Sequence, residues 1–209
     1  MASSNKWRYG GFSVLLVVVA LIGVYAASAV IGHPGSPASD ERDLEPAAGT
    51  ESREGSKRDP QGGSPWTVRV YRGATGQTCF EVVQKRDGDL GFDRGKSFRE
   101  TRPDDPSGNC VDLDKGTVGY ATSWRADEVD PGDLSKARSF VFGVADPKIR
   151  SVTVDRPDAE PVTLGTTDRG AFLAVYAGNI SDELQRATVT VNYDDGKRSS
   201  LREAQGGGE

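Results

Sequence analysis

Phe12–Ile31, FSVLLVVVALIGVYAASAVI, runs twenty residues without a charged side chain, and no other stretch of the chain approaches its hydrophobicity. As a helix rising about 1.5 Å per residue it is roughly 30 Å long, the thickness of a bilayer's hydrocarbon core. Lys6 and Arg8 precede it, and the next basic residue is Arg42. That asymmetry predicts a cytoplasmic segment over residues 1–11, a single transmembrane signal anchor over 12–31 and an extracytoplasmic remainder at the cell membrane. Trp7, Tyr9 and Tyr25 lie where amphipathic rings favour the headgroup level.

The same stretch also fits a cleaved signal peptide. Residues 1–11 supply a basic n-region, Phe12–Tyr25 an apolar core, and Ala27-Ser28-Ala29 a small-residue cleavage pattern. Cleavage after Ala29 would release a soluble protein beginning near Val30. Under either reading the rest of the chain is exported.

Residues 32–64 contain one large apolar residue, Leu44, and no aromatic. With so little to bury, this segment is expected to be a disordered stalk, spanning on the order of 30 Å as a flexible coil. The chain's only histidine, His33, lies in it. A Ser-His-Asp set or a histidine metal site is thereby excluded from the expected folded part, residues 65–204. The net charge of −5 argues against a nucleic-acid partner, which requires a basic patch. Residues 205–209 form a polar tail.

Cys79 and Cys110 are the only cysteines. In an exported protein an even count reads as a disulfide. Closing this loop stabilises the fold by roughly 3–4 kcal/mol on the chain-entropy estimate. A metal or redox role would need a C-x-x-C pair or a nearby histidine, and the chain has neither there.

From Trp66 onward the pattern is alternation of apolar and polar residues. Thr67–Arg72, Thr78–Val83, Val118–Trp124 and Ile149–Asp155 read as half-buried strands. Ser139–Val144 and Ala171–Tyr176 are apolar on both faces, as central strands are. Leu90–Phe92, Cys110–Leu113 and Pro161–Leu164 read as short edge pieces within charged loops. Val189, Val191 and Tyr193 lead into Asp194-Asp195-Gly196-Lys197, where Asp-Gly signals a hairpin turn. Ser181–Arg186 has the length of one helical turn. Short strands with turns every 8–12 residues or so predict an all-β, Ig-like β-sandwich. Trp66 and Trp124 are expected in its core or on a sheet face.

FVFGVADPKIRSVTVDRP, from Phe140, and RGAFLAVYAG, ending at Gly178, resemble a segment of exported β-sandwich proteins of high-GC Gram-positive bacteria. The resemblance covers residues 140–178 and rests on Gly143, Val152, Val154, Gly170 and Phe172. It implies export and a β-sandwich, and it transfers no catalytic residue.

Few residues suggest chemistry. Asp87-Gly88-Asp89, Asp112-Leu113-Asp114 and Asp127-Glu128 with Asp130 offer oxygen ligands of the kind Ca²⁺ takes. The Asp112 run breaks the EF-hand pattern, because Gly116 and Ser123 occupy positions that require ligands. Carboxylates are so numerous that pairs such as Glu100 and Asp104 carry no signal. Arg94, Lys96, Arg99 and Arg102 are interleaved with Asp93, Glu100 and Asp104, the composition of a solvated loop. Asn179-Ile180-Ser181 matches a glycosylation sequon. No catalytic residue, metal ligand or cofactor is therefore assigned. The expectation is a binding module displayed outside the membrane, with another envelope or membrane protein as partner. Its rival is an exported hydrolase working through carboxylates alone.

Overall fold

The structure, a computed structural model, describes residues 44–94, 97–101, 108–113, 117–127 and 130–201. The predicted helix over 12–31, the segment before it, the first part of the stalk with His33, and the tail lie outside these residues. Among the described residues no helix is long and apolar enough to cross a membrane.

Among the described residues, thirteen antiparallel strands build three sheets. The first contains β1 (Ser52–Lys57), β2 (Trp66–Arg72), β3 (Thr78–Arg86), β4 (Asp89–Arg94) and β5 (Ser97–Glu100) in that order, with β6 (Asn109–Val111) added on β3. Strands β6 and β4 share one edge of β3: Thr78–Phe80 face β6, and Gln84–Arg86 face β4. The second sheet has β11 (Ala171–Ala177), β8 (Arg138–Ala145) and β7 (Val118–Arg125), with β8 in the middle. The third orders β10 (Val162–Gly165), β9 (Ile149–Asp155), β12 (Thr188–Tyr193) and β13 (Arg198–Leu201). A five-residue helix, α1 (Ser181–Gln185), connects β11 to β12.

Strand β8 explains the layering. Phe140, Phe142 and Val144 point one way, into a core shared with Trp66, Val68 and Phe80 of the first sheet. Val141 and Ala145 point the other way, toward Val152, Val154, Val189 and Val191 of the third. A strand apolar on both faces needs a layer on each side, and burying each large side chain stabilises the stack by about 1.5–3 kcal/mol. The second sheet is therefore the middle layer. Gly143 lets it close up, since a Cβ there would lie 2.2 Å from the Gly119 carbonyl oxygen and 2.8 Å from the Phe172 ring.

The all-β, sandwich-like architecture and the disulfide agree with the sequence, and the strands predicted by alternation are all present. The single helical turn is also where it was expected, at Ser181–Gln185.

The stalk is a correction. Residues 44–64, expected to be disordered, belong to the fold. Strand β1 pairs with β2 through Ser52–Val70, Arg53–Arg69 and Glu54–Val68. The Thr67 hydroxyl donates to the carbonyls of Glu54 and Gly55 at 3.1 and 2.7 Å. Pairing on a sheet edge is a main-chain interaction, so SREGSK orders without apolar side chains. Leu44, the lone large apolar residue, is buried against Tyr71, Cys79 and Cys110. The folded part thus begins well before residue 65.

Candidate binding surfaces

Cys79 and Cys110 face each other across β3 and β6 and form the predicted disulfide. They sit on the outer face of the first sheet beside a buried charge cluster. Arg69 lies 2.8 Å from Glu81 and 2.8 Å from Glu51, with its guanidinium 5.0 Å from the centre of the Tyr71 ring. Burial, with the Glu81 charge adding to it and Arg69 opposing it, pushes the Tyr71 phenol up to about 12. Arg69 and Glu81 compensate each other inside the fold, and Glu51 reaches the same guanidinium from the surface.

A second buried network ties the 59–66 loop to the middle sheet. The Asp59 carboxylate accepts from the Trp66 indole at 3.0 Å, the Gln61 amide at 2.8 Å and Arg138 Nε at 3.1 Å. Arg138 also donates to Asp127 at 2.9 Å. Burial alone would lower the Arg138 pKa, but Asp127 and Asp59 outweigh it and hold the guanidinium above its ordinary value. The sequence places Asp127 among calcium-ligand candidates; the structure spends it on an arginine.

The other candidates scatter. Asp87 and Gly88 make the tight turn between β3 and β4, where Asp87 has φ 52°. Asp130 pairs with Lys136 at 2.9 Å in a turn, and Asp112 lies near Gln77. Among the described residues no group of three His, Cys, Asp or Glu side chains is placed to hold a metal ion. Asp114, Glu128, Lys96, Arg102 and Asp104 lie outside those residues, and Glu100 is exposed on β5. Trp66 is core, as expected, while Trp124 is half-buried against α1. The Asn179 side chain accepts from the Ser181 amide and hydroxyl at 3.1 and 2.7 Å, fixing the start of α1.

Among the described residues, two concave surfaces are large enough to take a ligand of several atoms. One is the outer face of the third sheet, a hollow of about 680 Å³. Register aligns Thr163, Thr153, Thr190 and Ser200 in a row across all four strands. Their hydroxyls meet in pairs, 3.0 Å for Thr153–Thr163 and 3.3 Å for Thr190–Ser200. In the next row Asn192 donates to the Ser151 and Thr153 hydroxyls, each at 3.1 Å. Arg150 and Arg198 flank the rows, and neither forms an ion pair among the described residues. The other surface is a cleft of about 550 Å³ at one end of the stack, between the β2–β3 hairpin and the turns after β8 and β10. Alternation along Ile149–Asp155 marks Ser151 and Thr153 as polar positions, but only register shows which residues of the neighbouring strands line up with them.

The only large hydrophobic side chain exposed among the described residues is Leu134. No protein-family model, curated protein or solved structure matches the chain.

Proposed function

We propose that the folded part is a binding module, held outside the cell membrane by the helix over residues 12–31, that takes a hydroxylated, anionic polymer on the outer face of the third sheet. The observation that carries this reading is the row of hydroxyls from Thr163 to Ser200, flanked by Arg150 and Arg198. Hydroxyls donate and accept, so a regular row suits the repeated hydroxyls of a sugar chain, and guanidinium suits its carboxylates.

The strand order of residues 118–201 supports an Ig-like reading of this part. Taking β7 to β13 as seven successive strands, the first, second and fifth form one sheet. The third, fourth, sixth and seventh form the other. The immunoglobulin arrangement differs only in the sheet that holds the fourth strand. The face proposed for binding is then the outer face of one sandwich layer, while the first sheet covers the opposite layer.

A hydrolase would need a cleft with one carboxylate raised and a partner ionised. The carboxylates held below their ordinary range, Asp133 by Ser135 and Asp195 by Lys197, are exposed turn residues. A protein partner is the second reading, favoured by β13, whose outer edge pairs with no described strand.

Immobilised polygalacturonate, with neutral dextran as control, tests the first reading. The full chain is expected to bind the uronate polymer, and Arg198→Gln or the pair Thr153→Val and Thr190→Val to weaken binding about tenfold. Equal binding to dextran, or no loss in these variants, removes the proposal. The N-terminal sequence and intact mass of the protein from its own cells test the anchor. Met1 or Ala2 in the membrane fraction supports it, and a soluble chain starting near Val30 replaces it with a secreted module.

A further inference from the structure

The end cleft lies on a different part of the molecule from the hydroxyl rows, and its walls differ in chemistry. Val70 and Ala145 close the bottom, with Leu113 and Pro147 beside them. Val70 and Leu113 belong to the core between the first and middle sheets, and the floor is the open end of that core. The rim is charged. Arg72 ends β2, and its Nη1 donates to the Gly76 carbonyl at 2.8 Å, which folds the side chain back over its own hairpin. Arg72 makes no ion pair among the described residues.

Arg169 enters from the turn before β11. Its Nη1 donates to the Thr50 carbonyl at 3.3 Å, and its Nε lies 3.8 Å from Glu54. The turn that carries it is pinned at Gly170, with φ 78° and space for a Cβ only 2.0 Å from the Ala145 carbonyl oxygen. Thr50 links the two arginines: its hydroxyl accepts from the Arg72 amide at 3.0 Å while its carbonyl holds Arg169. Across the cleft, Asp112 is the rim carboxylate among the described residues, 3.5 Å from the Gln77 amide.

Two guanidiniums on one side, a carboxylate on the other and an apolar floor between them are complementary to a zwitterion with an apolar body. Guanidinium recognises a carboxylate through paired N–H donors, and Asp112 matches an ammonium. The volume lies in the range of small-ligand pockets, roughly 300–1,000 Å³. We propose that this cleft binds a short apolar peptide, or a free apolar amino acid, through its α-carboxylate at Arg72 and Arg169 and its α-ammonium at Asp112.

The test is calorimetric titration of the full chain, solubilised in detergent, with three probes. Leucyl-leucine carries both charged ends, leucyl-leucinamide lacks the carboxylate, and N-acetyl-leucyl-leucine lacks the ammonium. The unmodified dipeptide is expected to bind one to one, and each blocked form about tenfold more weakly, the loss for a charge-assisted hydrogen bond. Arg72→Gln and Arg169→Gln should weaken the dipeptide about tenfold without further weakening the amide. Asp112→Asn should weaken the dipeptide without further weakening the acetylated form. All three side chains are exposed, so thermal melting of the variants should match the parent, and Arg198→Gln on the third sheet should bind the dipeptide unchanged. Equal affinity for dipeptide and amide overturns the proposal. So does the absence of dipeptide binding at millimolar concentration, or displacement of the dipeptide by inorganic phosphate at equal concentration, which would mark a general anion site.

Discussion

Asp59 and Arg138 stand 79 residues apart in the chain, yet Arg138 Nε lies 3.1 Å from both carboxylate oxygens of Asp59. The Asp59 side chain has no exposed surface, and it also receives the Trp66 indole N–H. This contact fastens the segment between β1 and β2 to the middle sheet.

Removing one member of a buried ion pair leaves its partner desolvated and uncompensated. Asp59→Ala is therefore expected to cost about 3–5 kcal/mol, read as a lowered urea midpoint. Asp127 continues to pair with Arg138, so the loss falls at the lower end of that range. Loss of the indole partner should also change the emission of Trp66. An unaltered midpoint would mean the 59–66 segment adds nothing to the stability of the stack.

Much of this fold was legible in local pattern, and what was not has a common physical cause. Ser139–Val144 announced a central strand because both its faces are apolar, and Asp194–Lys197 announced its hairpin through Asp-Gly. Strand β1 announced nothing: Ser52–Lys57 has no apolar residue, and its order comes from the β2 edge, the Thr67 hydroxyl and the ion pair of the neighbouring Glu51 with Arg69. Asp59 looked like any stalk carboxylate because its partner lies far along the chain. The candidate surfaces share this origin. Thr153, Thr163 and Thr190 read singly as outward strand residues, and Arg72, Arg169 and Asp112 come together only through three separate turns.

Arg69 and Glu81 test whether their charges add stability or only satisfy each other. Glu81→Leu alone leaves a buried guanidinium whose remaining carboxylate, Glu51, is part-exposed, and should cost about 3 kcal/mol or more. Adding Arg69→Met removes the orphaned charge, including its buried Nε, which has no hydrogen-bond partner. The double variant is expected to recover most of the loss, because a well-packed apolar pair often matches a buried ion pair. A double-mutant cycle in urea measures the coupling, and strictly additive costs would refute it.

The disulfide closes a loop with a sequence separation of 31. Cys79→Ala with Cys110→Ala should lower stability by roughly 3–4 kcal/mol, with the effect residing mainly in the unfolded chain. Both sulfurs are buried under Leu44 and Tyr71, so the folded protein should resist reductant that the unfolded chain does not. Mass-spectrometric counting of free thiols, with and without urea, checks the second statement. Rapid reduction without urea would show that the 44–50 segment does not cover the bond.

Tyr71 makes a prediction about alkaline stability. Its phenol ionises at about 12 in the fold and at 10.0 ordinarily, with burial as the main cause and Glu81 adding to it. Between these values the unfolded chain has lost the proton that the native state keeps, so the unfolded state is increasingly favoured as pH rises. The contribution is complete below pH 10.0 and disappears as pH passes about 12. Tyr71→Phe has no proton to lose. Urea midpoints of the two proteins should keep a constant difference below pH 10.0, after which the parent declines faster. Phenolate absorbance of the folded parent should show a late-ionising tyrosine that Tyr71→Phe removes. Parallel stability curves through that window would mean that Tyr71 is exposed to solvent, and that the cover formed by Leu44 opens on the timescale of titration.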